Sequence, residues 1–152
     1  MNILDDIEAM KGIDRSNCYG SIVEIAKQCQ HAWDDTRDLV VPESYRNVNK
    51  MLMTGMGGSG LGARVIESVY GPVTKYPLVR LNDYDLPSWV DNQTLIICSS
   101  FSGTTEETIQ NAKQAIEKGC KWMAIGAGGE LIELAKQHGV PFYKIIPTHN
   151  PS

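Results

Sequence analysis

Residues 50–60 read Lys50-Met51-Leu52-Met53-Thr54-Gly55-Met56-Gly57-Gly58-Ser59-Gly60. A short apolar run ends in a glycine-rich turn, and a helix-like run over 59–70 follows it, closed by Gly71-Pro72. The pattern recurs downstream. Thr94-Leu95-Ile96-Ile97-Cys98-Ser99 passes into Ser100-Phe101-Ser102-Gly103-Thr104-Thr105-Glu106, and a helical run from Thr104 to Lys118 ends at Gly119. A strand that turns into a helix leaves unpaired backbone N–H groups and the positive end of the helix dipole at the turn. Such a turn is an anion seat, to which serine and threonine hydroxyls add uncharged donors.

Outward from these two turns the alternation continues. Pro77-Leu78-Val79-Arg80-Leu81 predicts a strand ending at Asn82-Asp83, and Trp122-Met123-Ala124-Ile125 predicts another, followed by Gly126-Ala127-Gly128-Gly129. Glu130 to His138 predicts a helix closed by Gly139, and Phe142-Tyr143-Lys144-Ile145-Ile146 a fifth strand before Pro147. The connection 82–93 predicts a helical turn around Ser88-Trp89-Val90. Strands alternating with helices predict an α/β fold, a doubly wound five-stranded parallel sheet flanked by helices, with the run 94–99 as its central strand. In such sheets ligands lie outside the carboxyl ends of the strands, where strand order reverses. Both glycine-serine turns fall at carboxyl ends.

A helical leader, residues 1–45, precedes the α/β core of 46–152. Residues 2–10 predict a short helix with Ile3, Leu4 and Ile7 on one face. Residues 16–37 predict a longer one, capped by Ser16, with Ile22, Ile25, Ala26, Cys29 and Trp33 at helical spacing. Val40-Val41-Pro42-Glu43 breaks it. At 152 residues the chain fits a single domain.

Composition narrows the function. A net charge of -4 gives no basic footprint for nucleic acid. No apolar run approaches the ~20 residues that span a bilayer, and the acidic start through Asp5-Asp6 is unlike a secretory signal. Cys18, Cys29, Cys98 and Cys120 form no CxxC pair, so a reduced, cytoplasmic protein is expected. His31, His138 and His149 have no ligand spacing, and no metal is expected. His138 reads as a cation at a helix end. Trp33, Trp89 and Trp122 read as core or interface residues, and Met51, Met53 and Met56 as packing. Arg80 ends a strand, as a ligand contact or an ordinary surface arginine.

Two ligand classes fit the first turn. Gly55, Gly57 and Gly60 satisfy G-x-G-x-x-G, and Asp83 closes the second strand where a ribose-binding acid belongs, which describes an NAD(P)-binding Rossmann domain. The second turn favours a phosphosugar, because Ser100, Ser102, Thr104 and Thr105 crowd six residues around Gly103. One N-cap accounts for only one of those hydroxyls.

With both turns in view, the chain resembles the sugar isomerase (SIS) domain, and most closely the N-terminal SIS domain of the bifunctional phosphoglucose/phosphomannose isomerases. Arg80-Leu81-Asn82-Asp83-Tyr84-Asp85-Leu86-Pro87 also resembles that family. The resemblance implies a flavodoxin-like three-layer sandwich and a hexose 6-phosphate held between two facing SIS domains. It implies that Ser59, Ser100, Ser102 and Thr105 hold the phosphate, that Gly57 and Gly58 line the sugar beside Gly103, and that Glu107 supports the loop. The family's reaction is aldose–ketose interconversion of glucose 6-phosphate or mannose 6-phosphate with fructose 6-phosphate through an enediolate, without cofactor. It needs a base, a ring-opening group and a cation. The resemblance places glutamate, histidine and lysine in a second half or partner subunit, so no catalytic residue is assigned here. It also implies an arginine after a proline beyond the fifth strand; with Pro151 as that proline, Ser152 stands in the arginine's place. A homodimer is expected. A non-catalytic sugar-phosphate sensor stays open as a further reading.

Overall fold

The computed structural model describes residues 5–147, so Ile3, Leu4, His149, Pro151 and Ser152 lie outside the described residues. These residues fall into two compact units, 5–38 with 146–147, and Leu39–Ile145.

The first unit carries α1 (Ile7–Ile13), α2 (Cys18–Val23) and α3 (Ile25–Thr36). The single helix expected over 16–37 is therefore two, interrupted at Glu24 (φ -82°, ψ 0°). The interruption frees the Ser21 carbonyl, which the Gln28 side-chain amide takes at 3.0 Å. Ser16 is not the cap either. Asn17 occupies the N-cap position in the left-handed region, and the Asp14 carboxylate accepts from Cys18 N–H at 2.7 Å and Tyr19 N–H at 2.9 Å. Those two N–H bonds hold the Asp14 carboxyl below the usual carboxylate range.

The second unit is a five-stranded parallel sheet of β1 (Lys50–Thr54), β2 (Leu78–Leu81), β3 (Thr94–Ser99), β4 (Lys121–Gly126) and β5 (Phe142–Lys144), in the order β2-β1-β3-β4-β5. β3 is central, as its uninterrupted apolar run implied. Order reverses between β1 and β3, the switch point of a flavodoxin-like sheet. The helices are α4 (Leu61–Tyr70), α5 (Glu106–Glu117) and α6 (Gly129–Gln137), and the segment 82–93 holds turns, one closed by Val90 N–H on Pro87 O at 3.0 Å.

One sheet face is sealed. The register aligns Leu52 with Ile96 and Ile96 with Trp122, and all three are buried. α5 and α6 cover that row with Ala112, Ala115, Leu131, Ile132 and Ala135, which recur at helical spacing. Full burial of one leucine-sized side chain stabilises by about 1.5–3 kcal/mol, so this row dominates the unit's stability. Cys98 and Cys120 are buried here as expected, and burial pushes both thiols up. The other face, with Met51, Leu95 and Ile97 half-buried, carries α4. Among the tryptophans only Trp122 is buried; Trp33 and Trp89 are exposed.

Among the described residues, no helix is long and apolar enough to cross a membrane, and no group of three or more His, Cys, Asp or Glu could hold a metal ion.

Candidate functional site

The first turn leaves β1 at Thr54 and tightens into a 3-10 turn, Gly57–Gly60, before α4. Gly57 has φ +53° and, with Gly58, is exposed at the rim. Asn82, just past β2, donates its side-chain N–H to Gly55 O at 2.6 Å and ties the turn to the neighbouring strand.

The second turn leaves β3 at Ser99. Ser100 is buried; its N–H donates to Ile125 O at 2.9 Å, and its Oγ accepts from Gly103 N–H at 3.1 Å. Ser100 Oγ also pairs with Thr105 Oγ1 at 2.7 Å. Gly103 has φ +70°, and a Cβ there would fall 1.7 Å from Gly128 O, because the β4–α6 turn presses against this one. Ser102 is exposed and accepts from Thr104 N–H at 3.3 Å and Thr104 Oγ1 at 3.0 Å.

One contact joins the two turns. Ser59 Oγ accepts from Phe101 N–H at 3.0 Å. The residues singled out in sequence, Ser59, Ser100, Gly103 and Thr105, thus form one linked cluster above the switch point, with Ser102 at its exposed edge. Thr105 is the N-cap of α5, yet no side chain accepts from the first-turn N–H groups of that helix. The hydroxyls bond one another instead. The first turn of α5 therefore keeps its donors and its dipole for an anion.

Acids border the seat. Glu106 and Glu107 open α5, and Tyr84 Oη donates to Glu106 at 3.2 Å. Partial loss of water, then the charge of Glu107 and the bond to Glu106, hold the Tyr84 hydroxyl above the ordinary phenol range. Arg80 is committed elsewhere, its Nε donating to Glu67 on α4. His31 faces Asp35 at 3.4 Å on α3, and His138 is the C-cap of α6.

Sequence reading missed Asn111. It is buried in α5, and its Oδ1 accepts from Thr54 Oγ1 at the end of β1. Its Nδ2 donates to Asp83 O at 3.2 Å and Tyr84 O at 2.8 Å. A polar residue on the helix face shared by Thr108, Ala112 and Ala115 was the available signal.

A bifunctional phosphoglucose/phosphomannose isomerase of Caldicellulosiruptor bescii is 36% identical over 121 residues, which is 80% of this chain and 36% of that one. The chain belongs to the sugar isomerase (SIS) family. The enzyme of the same name from Aquifex aeolicus is 35% identical over 123 residues, 80% of this chain and 37% of its own. This SIS chain thus spans little more than a third of the length of these relatives. No family model matches it. A solved structure of a candidate phosphosugar isomerase from Clostridium difficile 630 shares the fold, with TM-score 0.56 and 21% identity over 73% of this chain and 32% of that one. The strand order also differs from the 3-2-1-4-5-6 order of dinucleotide-binding domains, and the Asp83 carboxylate accepts from Tyr84 N–H at 2.7 Å. The Rossmann reading is not favoured.

Proposed function

We propose that this SIS chain is the phosphosugar-binding part of an aldose–ketose isomerase that interconverts glucose 6-phosphate or mannose 6-phosphate with fructose 6-phosphate. The observation that carries the reading is the Ser59–Phe101 contact at the switch point, which sets both turns around the uncapped first turn of α5. The phosphate sits on the α5 N–H groups. Ser59, Ser102 and Thr105 add hydroxyl donors, and Ser100, sealed beneath, orients Thr105 and the Gly103 N–H. Gly57 and Gly58, open at the rim, let the sugar approach the backbone, and Glu107 braces the loop beside Tyr84. The seat is built from neutral donors and dipoles, which suits a chain whose net charge is -4.

A phosphate grip positions the sugar without moving its protons. The isomerisation needs a base to carry a proton between C1 and C2, a ring-opening group, and a cation for the enediolate. These come from a second SIS domain in the same polypeptide or from a partner subunit. Leader and core, 1–45 and 46–152, together form one such domain, the assembly is a homodimer, and it works in the cytoplasm. The cysteines, all free thiols, are in keeping with that compartment.

The test is amide NMR titration with fructose 6-phosphate and glucose 6-phosphate. Shifts are expected at Ser59, Phe101, Ser102, Thr105 and Glu106. Titration to millimolar sugar phosphate without movement at these amides refutes the proposal.

A further inference from the structure

Beneath the two turns lies a buried polar cluster that the phosphate contacts themselves do not use. Asn111, fully buried within α5, has all its amide hydrogen-bonding groups engaged with residues distant in sequence. The Thr54 hydroxyl, on the last residue of β1, donates to its Oδ1. Its two N–H bonds reach Asp83 O at 3.2 Å and Tyr84 O at 2.8 Å, in the segment after β2. One side chain therefore ties the strand that feeds the first turn, the segment that follows β2, and the helix whose first turn is the anion seat. Asparagine is a weaker helix former than alanine, and desolvating its amide is unfavourable unless every group is paired. Here every group is paired, so the amide fixes one geometry among its neighbours.

We infer that Asn111 is the positioning residue of the phosphate grip, setting the height of the α5 N-terminus against the first turn. This rests on the functional reading above. The direct contact between the turns, Phe101 N–H on Ser59 Oγ at 3.0 Å, joins the loop that leaves β1 to the loop that enters α5. Asn111 touches no ligand in this account; it acts through Ser59, Phe101 and the backbone of α5. Asn82, just past β2, supplies a second tie, donating to Gly55 O of the first turn at 2.6 Å.

The experiment compares Asn111→Ala, Thr54→Val and Thr54→Ser with the parent and with Ile116→Ala, a stability control at the far end of α5. Two quantities are read: hydrogen exchange of the Phe101 amide without ligand, and affinity for fructose 6-phosphate by calorimetry. Asn111→Ala and Thr54→Val are expected to speed Phe101 exchange and weaken binding, each about tenfold or more. Thr54→Ser, which keeps the hydroxyl, is expected to match the parent. Ile116→Ala lowers Tm while leaving both readouts in place. If Asn111→Ala does not fold, Thr54→Val, nearly isosteric, carries the test alone. Folded variants that stay within about twofold of the parent in both readouts overturn the inference. A parent that does not bind fructose 6-phosphate refutes the functional reading instead, and the exchange measurement still reports separately whether Asn111 fixes the contact between the turns.

Discussion

Replacing Gly103 by alanine tests how the second turn is built. Two independent penalties apply at this position. Its φ of +70° is left-handed, which costs an L-residue about 1–2 kcal/mol. Its Cβ would also lie 1.7 Å from Gly128 O and 2.7 Å from Gly128 C. Both atoms are backbone, so no rotamer relieves the clash. Forcing the β4–α6 turn aside adds roughly 1–3 kcal/mol, the usual range for overpacking. The sum for Gly103→Ala is about 2–5 kcal/mol. Gly57 separates the two penalties, because its φ is +53° and nothing lies within 4 Å of its Cβ. Gly57→Ala should then lose only the conformational part, about 1–2 kcal/mol. Urea unfolding followed by circular dichroism measures both, with m-values checked for a common unfolded state. A Gly103→Ala loss no larger than that of Gly57→Ala refutes the close packing of the two turns.

Ser59→Ala removes the acceptor for Phe101 N–H and should cost about 0.5–1.5 kcal/mol in stability, while weakening fructose 6-phosphate binding about tenfold in a calorimetric titration. Asp14 is held below its usual range by two backbone N–H bonds, so its stabilisation of α2 is present above the unfolded carboxyl value near ~3.9 and is lost as pH falls through the lower folded value. Carbon chemical shifts across Cys18–Val23 should therefore lose helical character on acidification, and Asp14→Asn should flatten that profile. Burial raises the Cys98 and Cys120 thiols, whereas Cys18 and Cys29 are exposed. Brief alkylation of the native protein at pH 8 should label Cys18 and Cys29 and spare the other two, as read by peptide mass spectrometry.

The sheet was legible in sequence because its strands are apolar runs closed by turn residues. Lys50–Thr54 begins where the apolar run begins and ends at a glycine, and Thr94–Ser99 ends where the serines begin. The α5 start was less legible: helical spacing extends back to Thr104, but Thr105 adopts an extended N-cap conformation and the helix begins at Glu106. The break at Glu24 was invisible, since an interruption of one residue leaves the apolar period intact. The hydroxyl cluster of the second turn was readable from composition and spacing within six residues. The Asn111 network was not, because Thr54 and Asp83 lie 57 and 28 positions away and no local period encodes such pairings.

The alanines under α5 carry a consequence for where motion can occur in the molecule. Ala112 and Ala115 are fully buried against the central strands, with Ala124 of β4 in the same layer. Methyl-sized side chains bring a helix close to a sheet, and the larger Ile109 and Asn111 on the same face are themselves buried. A helix so seated neither slides nor tilts without opening a void. The N-terminus of α5 is then an anvil, held in place by the packing beneath it. On the function proposed above, a sugar phosphate meets at this helix a surface of constant shape.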